Sequence, residues 1–238
     1  MKITPEIKRS LEVILQAYPY EERMAGFISH PLLGFAVEPE FDDKHKIIGS
    51  VLVNRGNFTE LVEKKTKYLL DHVKEVEQVF FVINQPYQLA VLYFIGNQLD
   101  TETYSGLLAM CWTSTEFPHQ AGVARLVEMF KKADKHYLIE EDDYRVFSKL
   151  PLNVTVYRGV RTDKKHTIRG LSWSLDYSTA RWFANRFGGD PEVYSAKINI
   201  KNVFAYFGGR NEAELVVNPR CLKEIREVTS PPKQEVEG

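Results

Sequence analysis

Cysteine is nearly absent from this chain. Cys111 and Cys221 are the only two; they lie far apart and form no CxxC or Cys/His spacing, which argues against a structural zinc site. The six histidines are scattered as well, so no metal is expected. Excess charge is also lacking: Lys and Arg number 31 against 32 Asp and Glu, a formal charge of -1. No global field therefore favours nucleic acid or an anionic membrane, and nucleic acid is not the expected partner. Long apolar runs are missing too. The longest segment, Gln88 to Ile95, falls far short of the roughly 20 residues of a spanning helix. The amino terminus, MKITPEIKRSLEVILQ, carries charges every few residues and reads as a folded helix, not a signal peptide. These absences point to a soluble protein of a reducing compartment, expected in the cytoplasm, with no internal repeat or low-complexity linker.

What is present suffices for a sizeable core: 44% of the 238 residues are hydrophobic and 12% aromatic. That length fits one large domain, or one domain with a helical annex. Thr4-Pro5 is a helix start, followed by Ile7, Leu11, Ile14, Leu15 and Tyr18 on one face. Leu33 to Val37 and Lys46 to Val53 suggest a small hairpin or two irregular strands. One long amphipathic helix is expected from Thr59 to Gln78, with Val79 to Ile83 either its end or a buried strand. Two apolar segments follow, one opened by Pro86 and running to Ile95, the other a buried helix from Thr101 to Trp112. Val123, Leu126, Val127 and Phe130 recur at helical spacing. The acidic run Glu140 to Asp143 reads as the solvated start of a helix whose apolar side is Tyr144, Phe147 and Leu150.

After Pro151 the texture becomes β-rich. Strands are expected at Asn153 to Arg158, Leu171 to Leu175, Val193 to Ile200, Val203 to Phe207 and Leu215 to Val217, with a helix over Ser178 to Phe187. Trp182 and Phe183 share that helix with Ala180 and Ala184 and are expected in the core. The fold class is therefore α+β: a mostly helical region over 1–135, a β core over 136–229, and a disordered tail over 230–238.

Three polar signatures lie on this β core. Arg158 precedes Gly159, whose missing β-carbon lets a backbone approach a ligand, and a guanidinium there offers a planar fork to a phosphate or ribose oxygen. An ordinary strand-end ion pair is the structural alternative. Ser172 and Ser174 alternate with Leu171, Trp173 and Leu175, so the two hydroxyls share one face; half-exposed strands carry such serines without function. Glu212 and Glu214 are two apart, so in extended backbone their carboxylates project to one side and raise each other's pKa unless a cation compensates. The preceding loop, Tyr206 to Asn211, holds two aromatics and two glycines.

In this order, Val156-Tyr157-Arg158-Gly159-Val160, Ser172-Trp173-Ser174 and Glu212-Ala213-Glu214 resemble the ADP-ribosyltransferases of the arginine-serine-glutamate class, over residues 150 to 220. The resemblance implies a split, two-sheet β core that binds NAD, the substrate, in its cleft, and needs no metal. It implies that Arg158 contacts the NAD phosphates and nicotinamide ribose, that the Gly159 backbone pairs with the nicotinamide amide, and that Ser172 positions the catalytic glutamate while Ser174 completes the strand motif. Glu214 then stabilises the oxocarbenium ion formed as nicotinamide leaves, and Glu212 orients or deprotonates the acceptor. By position alone, Arg186 and Phe187 fall where phosphate contact and nicotinamide stacking are expected. A glutamate two residues before the catalytic one is typical of family members that modify arginine. The expected activity is thus mono-ADP-ribosylation of a protein side chain, arginine first, with a protein of unstated identity as partner. The alternatives are an NAD glycohydrolase or a nucleic-acid modifier on the same fold, or a noncatalytic binding module.

Overall fold

In the computed structural model, which describes residues 1–23, 26–41, 46–116, 121–186, 188 and 190–230, the Thr4 hydroxyl accepts the Ile7 amide hydrogen at 3.3 Å and starts helix α1 (Pro5–Gln16). Ile7, Leu11 and Leu15 of α1 are fully buried, and each such side chain contributes roughly 1.5–3 kcal/mol of burial free energy. The chain divides into two compact units, Met1–Gly122 and Val123–Gly238. The residues over 123–132, counted with the N-terminal region by sequence texture, belong to the second unit. Of the expected tail, 231–238 lies outside the described residues.

In the first unit, β1 (Glu22–Arg23) pairs with β2 (Phe27–Ile28), and β3 (Val37–Phe41) pairs with β4 (Ile47–Leu52), both antiparallel. The expected hairpin is therefore present, but its first strand begins at Val37, where the expected one ends. The single helix expected over 59–78 is two: α2 (Phe58–His72) and α3 (Val76–Val82). Val73 is extended between them, and the Gln78 side-chain oxygen accepts the amide hydrogens of Lys74 and Glu75, both at 3.2 Å, which starts a new helix. Residues 79–82 are thus helical, not a strand. α4 (Gln85–Ile95) and α5 (Thr101–Ser114) complete the unit.

The second unit opens with α6 (Val123–Lys132), α7 (Lys135–Leu138) and α8 (Glu141–Phe147). Leu126, Met129 and Phe130 of α6 are buried, whereas Val123 is exposed. On α8, Phe147 packs against the core with Leu150 just beyond it, but Tyr144 faces solvent. The strands are β5 (Asn153–Arg161), β6 (Ser172–Ser174), β7 (Pro191–Asn199), β8 (Val203–Phe207), β9 (Glu214–Val217) and β10 (Lys223–Glu227), with α9 (Tyr177–Asn185) between β6 and β7.

All six strands form one antiparallel sheet in the order β10-β7-β5-β6-β9-β8. Two separate sheets are therefore not what forms. The ladder is nonetheless uneven: β5 and β7 pair from Asn153↔Asn199 to Arg161↔Pro191, whereas β5 and β6 meet only at Tyr157↔Ser174. One face carries the main core, with Val154, Val156, Trp173, Ile198, Leu215 and Val217. The other face receives α9, where Tyr177 and Ala180 pack on Tyr157 and Val193. Among the described residues no helix is long and apolar enough to cross a membrane.

Candidate functional site

The three signatures stand on β5, β6 and β9, neighbours in the sheet. Register aligns Tyr157 with Ser174, Ser174 with Glu214, and Glu214 with Phe207, one row across four strands. Residues directly opposed in antiparallel strands share a face, so Ser174 and Glu214 stand side by side. Ser172 instead opposes Val216. It is thus Ser174, expected only to complete the motif, that adjoins Glu214 in the ladder.

Arg158 follows Tyr157, so the pleat turns it to the opposite face, with Val154 and Val156. Its guanidinium bends around the end of β6. Nε donates to the Thr167 carbonyl oxygen at 3.0 Å, and Nη1 donates to the Ser172 carbonyl. Gly170 makes room for it, since a β-carbon there would lie 2.7 Å from Nη2. Enclosure of the guanidinium pushes its pKa down to about 10, against the pull of the Glu214 carboxylate, so it stays cationic at neutral pH. Among the described residues Nε and Nη1 carry its hydrogen bonds, both to backbone carbonyls.

Gly159 meets a packing need. A β-carbon on it would stand 1.9 Å from the Ala180 carbonyl oxygen and 2.7 Å from the Ala184 nitrogen. The space left by its hydrogen is filled by α9, not held open for a ligand.

Glu212 and Glu214 do not project together from extended backbone. Glu212 is helical (φ -84°, ψ -19°), and Ala213 is left-handed at φ 44°, as is Asn211 at φ 56°. The extended backbone that would set both carboxylates on one side is therefore absent, and each glutamate is half-buried. The turn is fixed from β6: the Ser174 hydroxyl donates to the Glu212 carbonyl at 2.7 Å and accepts the Asp176 amide hydrogen at 3.0 Å, while the Leu175 amide donates to the Ala213 carbonyl at 3.0 Å. Asp176 in turn starts α9, accepting from the Thr179 amide at 2.7 Å and from both the Ser178 and Thr179 hydroxyls. Those bonds, Ser178 first, hold its carboxyl below the usual carboxylate range.

Arg186 ends α9 and places its guanidinium over the Trp182 ring, 5.6 Å from the centroid. Trp182 itself is 57% exposed, not in the core as expected. Phe187 lies outside the described residues. Sequence reasoning missed Asp143, whose carboxylate accepts the Gly208 amide hydrogen at 2.9 Å; an acidic helix start gives no sign that one of its members turns inward. Among the described residues no group of three or more His, Cys, Asp or Glu is arranged to hold a metal ion. Three adjoining strands thus carry a guanidinium fork, a serine-held turn with Glu212 in it, and Glu214 at the start of β9. No protein-family model matches this chain, and neither the curated proteins nor the solved structures give a match to it.

Proposed function

We propose that the protein is a mono-ADP-ribosyltransferase that cleaves the nicotinamide-ribose bond of NAD and passes ADP-ribose to a protein side chain, arginine first. The observation that supports it most is the row Tyr157, Ser174, Glu214, which puts the three sequence signatures on adjoining strands with the Arg158 charge acting on Glu214. Arg158 offers its outer donors to the NAD phosphates, a planar fork suited to them. Glu214 stabilises the cationic ribose that develops as the glycosidic electron pair leaves with nicotinamide, the role fixed carboxylates play at oxocarbenium-like transition states. A guanidinium nitrogen of the acceptor then bonds to the ribose carbon, and Glu212 takes its proton. The left-handed Ala213 suits this division of labour, since the two glutamates do not follow one another along extended backbone.

The test is incubation of the purified protein with a labelled NAD analogue and cell lysate, following nicotinamide release and label on protein together. Glu214→Gln is expected to lower both by about 10²–10³-fold, the scale of losing one electrostatic stabiliser. Glu212→Gln is expected to remove label while nicotinamide release persists. Glu214-dependent release without label on any macromolecule assigns a glycohydrolase, and a wild type that gives neither signal overturns the reading.

A further inference from the structure

The acidic start of α8 is not uniformly solvated. Arg145 pairs with Glu141 through Nη2 and with Asp142 through Nη1 at 3.0 Å, both exposed. Asp143 is half-buried and turns the other way. Its Oδ2 accepts the Gly208 amide hydrogen at 2.9 Å, and its Oδ1 lies 2.5 Å from the place a Gly208 β-carbon would take. The carboxylate therefore fills the room that a side chain at 208 would need. Gly208 has φ -85°, a value open to any residue, so what a side chain there would disturb is not the backbone but the Asp143 carboxylate, which would have to move.

Gly208 begins the turn that carries Glu212. The far end of that turn is tied to β6 through Ser174 and Leu175. Asp143 ties the near end; between the two anchors runs the short helical turn Gly209–Asn211, ending in the left-handed Asn211, and the left-handed Ala213 belongs to the far anchor itself. Left-handed non-glycine backbone persists where its surroundings over-determine it. Without Asp143 the strand pairing of Phe207 with Glu214 and the bonds to the Glu212 and Ala213 carbonyls remain, but the stretch from Gly208 to Asn211 loses its side-chain tether and gains room to shift the residue that follows it, Glu212.

We infer that Asp143 is a positioning residue for Glu212: by holding the Gly208 amide it sets the placement of the acceptor-side carboxylate without touching a reacting atom. This rests on the transferase reading above. Its consequence is that Asp143 governs how released ADP-ribose partitions between protein acceptor and water, and not how fast nicotinamide leaves.

The experiment compares the full chain with Asp143→Ala, Asp143→Asn and Gly208→Ala. Two readouts are taken: amide hydrogen exchange over residues 208–213, and label transferred per nicotinamide released. A hydrogen bond to a charged acceptor is lost in Asp143→Ala, so exchange over the turn is expected to rise about tenfold or more, and the transfer-to-release ratio to fall by a similar factor. Asp143→Asn keeps an acceptor oxygen and should recover most of both. Gly208→Ala, which pushes on the carboxylate without removing it, should reproduce the loss. Unchanged exchange in Asp143→Ala overturns the tether. Faster exchange with an unchanged ratio overturns the positioning role. A wild type that releases no nicotinamide overturns the underlying transferase reading, while exchange still reports whether the tether exists.

Discussion

Gly159 of β5 and Ala180 of α9 meet so closely that a methyl group on the glycine would sit 1.9 Å from the alanine carbonyl oxygen. The obstructing atoms are backbone, so no flexible side chain can yield. Gly159→Ala must push α9 off the sheet, and with it the Tyr177 and Ala180 packing on Tyr157 and Val193. Overpacking commonly costs about 1–3 kcal/mol; rigid backbone places this substitution at or beyond the upper end. Urea denaturation should show a midpoint lowered accordingly, and a midpoint unchanged from wild type would refute the close packing.

Arg158 ties the loop before β6 to β5 through the carbonyls of Thr167 and Ser172. A lysine brings one ammonium in place of the fork and cannot span both. Hydrogen bonds from charged donors are worth about 1.5–3 kcal/mol, so Arg158→Lys should lose about that much in denaturant titration. Under the proposed function it should also weaken NAD binding, measured by calorimetry. A variant of full stability that has lost NAD binding would assign Arg158 to the ligand alone.

Ala213 carries a strain that a substitution can release. A left-handed conformation costs an L-residue roughly 1–2 kcal/mol, and Ala213 holds φ 44°. Replacing alanine by glycine usually costs about 0.4–1 kcal/mol through the unfolded chain. The two oppose each other here, so Ala213→Gly should be neutral or stabilising by up to about 1.6 kcal/mol. The same change at a right-handed position, such as an exposed helical site, should destabilise. An equal loss at both sites would argue that Ala213 is not strained.

How much of this was legible depended on whether a residue's type carries its geometry. Val203 to Phe207, aromatic and β-branched, reads as a strand and is one, β8. Lys223 to Glu227 is mostly charged and yields no strand signal, yet it forms β10, because an edge strand bonded only to β7 tolerates charge. The apolar period runs unbroken through Val73 and hides the end of α2, although Gln78 three residues after Glu75 was a readable helix start. Helical spacing with Ala180 and Ala184 predicts Trp182 inside. Those two are one turn apart, and the residue midway between them points about 200° away, to solvent. The residues of the candidate site could be named from order and spacing. The separation of Glu212 from Glu214 could not, since nothing in an alanine announces a positive φ.

His30 predicts an acid sensitivity confined to a narrow window. It is wholly buried, with Nδ1 accepting the Leu32 amide hydrogen at 3.0 Å and the rings of Tyr18 and Phe58 edge-on to it. Burial, opposed by a backbone hydrogen bond at Leu15 and aided by the Lys65 charge, lowers its pKa from 6.5 to about 4. The folded state thus binds the proton less readily than the unfolded state. Between those two values the unfolded chain carries more protons, so stability is complete above pH 6.5, falls as pH drops through the window, and stops falling on this account below about pH 4. At 1.36 kcal/mol per pKa unit the full loss is about 3 kcal/mol. Asp71, held down to about 2 chiefly by its bond with Lys67 and then by Lys8, loses its contribution only at lower pH, between 3.8 and about 2, so the two are separable. Urea midpoints measured from pH 7 to 3 should slope between 6.5 and 4 in wild type. His30→Gln keeps an acceptor for Leu32 but does not titrate, and its midpoint should be flat from pH 6.5 to about 5, above the range in which Glu6 and Glu224, both lowered from 4.5, take up protons. An identical slope in the variant would place the proton uptake on other groups.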